Sequence, residues 1–374
     1  MARVLITVHL GRHFRIFGHY DYKVLLDLGH EVHIAANFND EIDNFEDPRV
    51  VKHQIGFVRN PFSPGNIKAY RQLKELLSSI HFDLIHRQSP SGGAITRLAA
   101  RKSRKNGAKV MYTAHGFHFY KGAPKKNWLI YYNIERLLGH ITDCIITIND
   151  EDYNLAHKMF PGKDIRYIHG VGIDLDKFRP QDAETKEKNR EKYNYSKDDF
   201  ILIYVGELSY RKHQDLLIYA INILKDKIQN VKLLLVGQGK LMEEYKTLVN
   251  KLGLQEYVEF LGYRKDVANL LMMADVAVSS SRQEGLPLNI LEAMATGLPV
   301  VATDCRGNRD LVANEENGYI IPLNDYESFA EAIIKIYQSN DLRERFCNKS
   351  TELVKKYSLN NVRSEMEEIY SNYL

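Results

Sequence analysis

Two glutamates, Glu284 and Glu292, bracket the run Gly285-Leu286-Pro287-Leu288-Asn289-Ile290-Leu291. The chemistry open to that pattern is recognition of an anion together with paired hydroxyls. The run follows a β-branched stretch at 276–279 and opens an apolar helix that ends at Gly297. Pro287 suits a helix start, where its missing N–H costs nothing. The N–H groups of Leu288 and Asn289 then lack intrahelical acceptors and form an anion site suited to a diphosphate. Glu284, in the loop, is placed to meet sugar hydroxyls. Glu292, about one turn into the helix, is placed to take a ribose diol, because carboxylates accept strongly from paired hydroxyls. Taken singly, either glutamate reads more readily as a solvated side chain.

The elements that must position these groups alternate along nearly the whole chain. Strand-like runs fall at 4–8, 31–35, 84–87, 109–113, 144–148 and 165–168, and again at 201–205, 233–236, 258–261, 276–279 and 299–302, with helical patterns such as 67–80, 95–105 and 128–138 between them. Strands alternating with helices imply parallel sheets built from βαβ units. With 374 residues, two cores are expected. The reading is α/β: two doubly wound Rossmann-like domains facing across a cleft, 1–178 and 179–358, with the last helix, 359–374, packing back on the first. Ligands in such sheets bind beyond the carboxyl ends of the strands. The charged stretch after Phe178-Arg179-Pro180 reads as a linker that ends in a short helix.

Composition narrows the function classes. The chain is 44% hydrophobic and 26% charged, ordinary for a globular protein. Three scattered cysteines with no CxxC pair argue against a disulfide framework or a structural zinc. The N-terminal apolar run reads as a first core strand rather than a leader, no apolar run approaches the ~20 residues of a spanning helix, and a cytoplasmic protein is expected. Net charge is +3 overall, yet residues 1–178 carry 25 Lys+Arg against 18 Asp+Glu and 13 of the 14 histidines. The small net charge and the lack of a binding motif leave no case for nucleic acid.

The stretch from Glu284 through Glu292-Ala293-Met294-Ala295-Thr296-Gly297-Leu298-Pro299-Val300-Val301-Ala302 closely resembles glycosyltransferase family 4, in which paired glutamates with this spacing mark the donor site. The resemblance implies the GT-B fold, a retaining glycosyltransferase of hexosyl type, a nucleotide-sugar donor and no bound metal. It puts Glu284 on the donor sugar and Glu292 on the ribose, with Gly285, Leu286, Leu288 and Asn289 beside the diphosphate. Gly206-Glu207-Leu208-Ser209-Tyr210-Arg211-Lys212 is similar to the family's first C-terminal loop, so Lys212 takes the place of the diphosphate-binding lysine. Glu207 stands where many relatives carry arginine, and Arg211 is the expected substitute. Gly237-Gln238-Gly239 resembles the Gly-x-Gly strand exit that lets the nucleotide approach, and Tyr263-Arg264 matches the base-clamping loop. Arg306-Gly307-Asn308-Arg309-Asp310 falls where relatives have Gly-Gly-x-x-Glu and is less readable.

In the first half, His115 of Thr113-Ala114-His115-Gly116-Phe117-His118 matches the family histidine that contacts the donor sugar, with His118 as second choice and an acceptor contact. Gly11, Arg12 and His13 lie in a loop similar to the one that closes over the reaction centre; Gly11 would allow close approach to the diphosphate, and Arg12 and His13 are acceptor candidates. These loops most resemble transferases of bacterial exopolysaccharide and capsule assembly. That implies an undecaprenyl-diphosphate-linked acceptor at the inner membrane face, UDP as nucleotide, and an N-acetylhexosamine, glucose or galactose as the sugar. A basic cluster (Arg97, Arg101, Lys102, Arg104, Lys105, Lys109) with Lys121, Lys125, Lys126 and Trp128 fits peripheral attachment to an anionic leaflet, worth about 1 kcal/mol per charge. Asp150-Glu151-Asp152 is read as capping the helix after Ile148 and Asp174-Leu175-Asp176 as lying at the domain junction, neither as a metal site. The rival of the same fold is a non-hydrolysing UDP-sugar epimerase. A dinucleotide dehydrogenase would need GxGxxG after the first strand, where Gly11 stands alone.

Overall fold

Short apolar strands that bury both faces need helices on both sides, and each half of the chain meets that need with its own sheet. The computed structural model describes residues 1–39, 46–58, 60, 63–88 and 92–374. It divides into two units, Met1–Gly172 with Leu359–Leu374, and Ile173–Ser358.

The first unit holds β1 (Arg3–Leu10), β2 (Glu31–Asn37), β3 (Val50–Gln54), β4 (Leu84–Gln88), β5 (Lys109–Ala114), β6 (Cys144–Thr147) and β7 (Asp164–Tyr167), in the order β3-β2-β1-β4-β5-β6-β7. The second holds β8 (Phe200–Val205), β9 (Val231–Val236), β10 (Val258–Gly262), β11 (Val276–Ser279), β12 (Val300–Thr303) and β13 (Gly318–Ile321), in the order β10-β9-β8-β11-β12-β13. The paired strands of both sheets run parallel. Strand order reverses beside β1 and again beside β8, and ligand crevices of such sheets open at these switch points.

Alternation along β8 shows how the second core forms. Phe200, Leu202 and Tyr204 join the cluster on one face, and Ile201 and Ile203 join the cluster on the other. The sequence patterns miss β3 and β13, both edge strands paired on one side only. The first, Val-Val-Lys-His-Gln, carries mostly exposed side chains, so it lacks the apolar run that marks a buried strand. The second starts at a glycine and has only four residues. The expected helix 95–105 is two helices, Gly93–Ala99 and Arg101–Lys105.

The division falls between Gly172 and Ile173, earlier than 178/179. Ile173 donates its N–H to Tyr357 O at 2.8 Å, and Ile173 and Phe178 are buried in the second unit's core. The expected linker is likewise anchored: helix Ala183–Lys192 starts at the Asp182 cap, and its Arg190 reaches Met273 O at 3.0 Å and Asp275 at 2.7 Å.

The last helix, Leu359–Ser371, belongs to the first unit. Val362, Met366, Ile369 and Tyr370 are its buried face. Tyr370 Oη bonds His86 Nδ1 at 2.8 Å, Arg363 donates to His19 O at 2.9 Å, and Tyr373 Oη donates to Asp164 at 2.7 Å. Met366→Ala should cost the first unit about 2–5 kcal/mol through the cavity it leaves. Urea unfolding followed by the fluorescence of Trp128, the only tryptophan, measures this in the unit concerned.

Candidate active site

The second unit gathers its polar groups where β8, β11 and β12 end. β11 leads into the loop 280–287, and Pro287 (φ −79°, ψ 114°) caps helix Leu288–Ala295 with no side-chain hydrogen bond. The first-turn N–H groups of Leu288 and Asn289 therefore have no acceptor within the helix. The loop is tied down from both neighbouring strands. Ser280 Oγ donates to Lys212 O at 2.8 Å, Thr303 Oγ1 to Ser281 O at 2.6 Å, and Arg306 Nε to Glu284 O at 3.0 Å.

Glu284 stands at the centre, 7% exposed. Its Oε1 accepts from Lys212 Nζ at 2.5 Å and from Ser281 Oγ at 2.7 Å, and its Oε2 accepts from Arg211 at 3.0 Å. Burial pushes the carboxyl up, but Lys212 and then Arg211 outweigh it, so the group sits below the ordinary carboxylate range. The sequence reading assigns Glu284 to a sugar and the two cations to a diphosphate. The structure joins all three in one ion cluster, so both glutamate oxygens are already engaged.

Glu292 lies about one turn further and is half-buried. Burial raises its carboxyl to about 7, with Lys177 pulling weakly the other way. Two carboxylates on one loop and helix thus hold different charge states near neutrality.

The glycine exits pack loop on loop. Gly237 has φ 144°, and a Cβ there would lie 2.0 Å from Gly206 O; one on Gly239 would lie 2.0 Å from Leu208 O. The neighbouring loop 206–208 thus by itself requires glycine at both positions. Gly206 N–H in turn donates to Val236 O at 2.8 Å. Tyr263 is 70% exposed, while Arg264 is forked onto Asp266 at 2.8 and 2.6 Å and lies over the Tyr193 ring. Arg264 is therefore already committed within its own unit. Glu207 is exposed.

Arg306 and Gly307 are the residues sequence reasoning left without a role. Arg306 is buried and holds the Glu284 carbonyl. Gly307 (φ 80°) passes so near that a Cβ would meet Gly285 O at 2.4 Å. The signal was present as an arginine and a glycine directly after a buried strand, in a motif unlike the family pattern.

In the first unit, His115 follows β5 and is partly buried. Its Nε2 lies 2.9 Å from Gln88 Oε1, which also accepts from Tyr20 Oη at 3.1 Å. Burial, then the neighbouring His13, His86 and Arg87, lower its pKa to about 3, so the ring is neutral at physiological pH. Gln88 and Tyr20 are fully buried and were not anticipated. His13 stands edge-on to His115 with ring centres 6.0 Å apart, and 3.7 Å from Asp21. Gly11 precedes helix Arg12–Phe17 with φ −56°, a conformation open to any residue, and donates to Asn37 O at 3.0 Å; Arg12 is exposed. His118 stacks on Tyr131 with ring centres 4.8 Å apart, which places it in an aromatic cluster.

Asn149, rather than the acids after it, caps helix Asp150–Met159 by accepting from Asp152 N at 2.9 Å. Asp174 accepts from the N–H groups of Asp176 and Lys177 at 3.0 Å. Among the described residues no group of three or more His, Cys, Asp or Glu is arranged to hold a metal ion, and no helix is long and apolar enough to cross a membrane.

Residues 185–353 match the family model described as glycosyl transferases group 1, and residues 22–177 match that described as glycosyltransferase family 4. EpsD of Bacillus subtilis (strain 168) is 40% identical over 373 residues, spanning 100% of this chain and 97% of the relative. The chain belongs to glycosyltransferase family 4. A second relative of this glycosyltransferase, at 30% identity over 82% of the chain and 79% of its own length, is the UDP-Gal:alpha-D-GlcNAc-diphosphoundecaprenol alpha-1,3-galactosyltransferase of Escherichia coli. The structure of Anabaena Alr3699/HepE in complex with UDP and glucose superposes with a TM-score of 0.81 at 18% identity, covering 100% of both chains. The fold of the transferase is thus GT-B.

Within the glycosyltransferase, the buried cluster makes a stability prediction of known sign. Lys212→Met leaves Glu284 buried with the half-exposed Arg211 as its cation in the cluster and should cost about 3–5 kcal/mol. Adding Glu284→Gln should restore most of that loss. Because the Glu284 carboxyl is held low, the wild-type contribution is present above its ordinary pKa of 4.5 and fades as pH falls through the folded value. Thermal melts of the single and double variants between neutral and acid pH check both points.

Proposed function

We propose that this glycosyltransferase moves a hexose or N-acetylhexosamine from a UDP-sugar to a lipid-linked saccharide in exopolysaccharide or capsule assembly, with retention of anomeric configuration, as a peripheral enzyme of the inner membrane face. The observation that carries the reading is the Glu284–Lys212–Arg211 cluster at the foot of helix Leu288–Ala295, with Glu292 beyond it. A diphosphate arriving at the helix N-terminus competes with Glu284 for the two cations. As Lys212 and Arg211 turn to phosphate, Glu284 is released to accept from donor sugar hydroxyls, and Glu292 accepts from the ribose. His115, neutral, meets the sugar as a hydrogen-bond partner and not as an acid.

In the front-face step the bond from the anomeric carbon to the diphosphate breaks while the acceptor hydroxyl oxygen bonds to the same carbon on the same face. The acceptor proton passes to the departing phosphate oxygen. Lys212, Arg211 and the Leu288 and Asn289 amides stabilise the charge that develops there, so the reaction as proposed runs without a metal ion. The names of two relatives support the substrates: the E. coli enzyme is named for UDP-Gal and a diphosphoundecaprenol acceptor, and the HepE structure contains UDP and glucose.

Incubation with UDP-glucose, UDP-galactose or UDP-N-acetylglucosamine and an undecaprenyl-diphosphate-linked sugar should release UDP, give an α-linked product, and proceed equally in EDTA. Free epimer without UDP release would overturn the assignment. Glu284→Ala and Lys212→Ala should each lower kcat by about 100-fold or more, and unchanged transfer in both would remove the site. Glu292 adds a pH dependence. With its unliganded carboxyl at about 7, protonation competes with the ribose contact, so affinity should weaken about tenfold from pH 8 to pH 6 for the wild type relative to Glu292→Gln. Titration calorimetry with UDP on both proteins gives that ratio.

A further inference from the structure

Between Asp83 and Asp143 the chain holds 11 Lys and Arg and one acid, Glu135. The structure takes that acid off the surface: Glu135 is buried and forked onto Arg97 at 2.8 and 2.9 Å, and Arg97 is itself fully buried over the Tyr112 ring. This corrects the sequence reading, in which Arg97 belongs to the basic surface. Arg104 is likewise engaged, on Asp143 at 2.7 Å. The cations that remain exposed are Arg101, Lys102, Lys105, Lys109, Lys121, Lys125, Lys126 and Arg136.

Among them lies an apolar strip the sequence reading did not see. The chain runs through Lys125–Asn127, a π-helical turn Trp128–Tyr132 and helix Asn133–Gly139. Phe119 packs against Trp128 and Tyr132, and Leu138 turns into the core. On the outer side Trp128 is 36% exposed, Leu129 73%, Ile130 41% and Leu137 70%. Lys125, Lys126, Leu129, Asn133, Arg136 and Leu137 recur at helical spacing and so share one face, about 18 Å long. Exposed apolar side chains gathered beside cations mark an interaction surface. Within residues 125–139 the exposed charges, Lys125, Lys126 and Arg136, are positive, and the segment carries a tryptophan. The acid Glu151 lies outside it and accepts from Lys121 N–H at 2.7 Å. That chemistry fits an anionic lipid surface, with the strip lying in the headgroup layer.

We propose that residues 125–139 form a membrane-docking face that seats on anionic lipid through Leu129 and Leu137, with Ile130 and Trp128 at its margins and Lys125, Lys126 and Arg136 pairing with headgroups. The proposal deepens the lipid-linked-acceptor reading by naming the surface that meets the bilayer. Docking is measured without sugar or acceptor, so its failure and the failure of transfer are separate results.

Trp128, the only tryptophan, is a native probe within the face. The full chain is mixed with phosphatidylcholine vesicles, pure or containing about one-third phosphatidylglycerol. The anionic vesicles should sediment the protein, shift Trp128 emission to the blue and allow its quenching by brominated lipid. Pure phosphatidylcholine should do so far more weakly, and raised salt should reduce the electrostatic share. Leu129→Ser with Leu137→Ser, and separately Lys125→Glu with Lys126→Glu, should each weaken vesicle binding about tenfold or more. Both should keep the wild-type Tm and transfer to a short-chain, water-soluble acceptor, since these side chains lie outside the core and the candidate site. No blue shift with anionic vesicles, or variants that bind like wild type, overturns the proposal. So does a wild-type dimer in sedimentation velocity that the serine variant disperses while vesicles bind neither protein, because a second copy would then cover the face.

Discussion

A carboxylate buried at the ends of three strands is the constraint on which the second unit's site depends. Removing Glu284 from water costs several kcal/mol unless opposite charge and hydrogen bonds replace the lost hydration. Lys212, Arg211 and Ser281 supply that replacement. Each partner comes from a different local device. Lys212 and Arg211 are delivered by the loop after β8, where His213 takes a left-handed conformation (φ 55°) before helix Gln214–Leu224. Ser281 follows β11. Arg306 and Gly307, after β12, hold the glutamate's own backbone from behind. The glycine exits of β9 let these loops pack directly on one another.

The first unit solves a different problem with neutral groups. Its sheet ends in buried polar side chains that pair with one another: Thr7 with Thr96, His86 with Thr113 and Tyr370, and His115 with Gln88. Burial holds His86 and His115 at about 3, so neither carries charge and no counter-ion is needed. The cost is dependence on remote chain. His86 is satisfied partly by Tyr370, 284 residues away in sequence, which ties the return of the final helix to the polar interior of the first sheet.

Much of the fold was legible because parallel strands buried on both faces must be continuous apolar runs, and those runs stand out. The strands β3 and β13 were not, since the first is mostly exposed and the second is four residues starting at a glycine, so neither shows a continuous apolar run. Glu284 and Lys212 in the second unit, and His115 in the first, were readable as residue types at strand exits. Their partners Ser281, Arg306, Gln88 and Tyr20 were not, because a hydrogen bond between residues far apart in sequence leaves no local pattern. Arg97 was misread as surface charge for the same reason: its match is Glu135, on another helix.

By itself the sequence determined the two-sheet α/β architecture, because hydrophobic periodicity and turn residues are local properties, and the stretch from Glu284 to Ala302 carried the family resemblance. Only the tertiary structure decided what each charged group meets. It made Glu284 a neutralised member of an ion cluster and raised Glu292 toward neutral pH. It also turned Gly237, Gly239 and Gly307 into packing requirements and left Leu129 and Leu137 facing outward. Burial and pairing are set by which segments pack together, and that is a property of the folded chain rather than of any stretch of it.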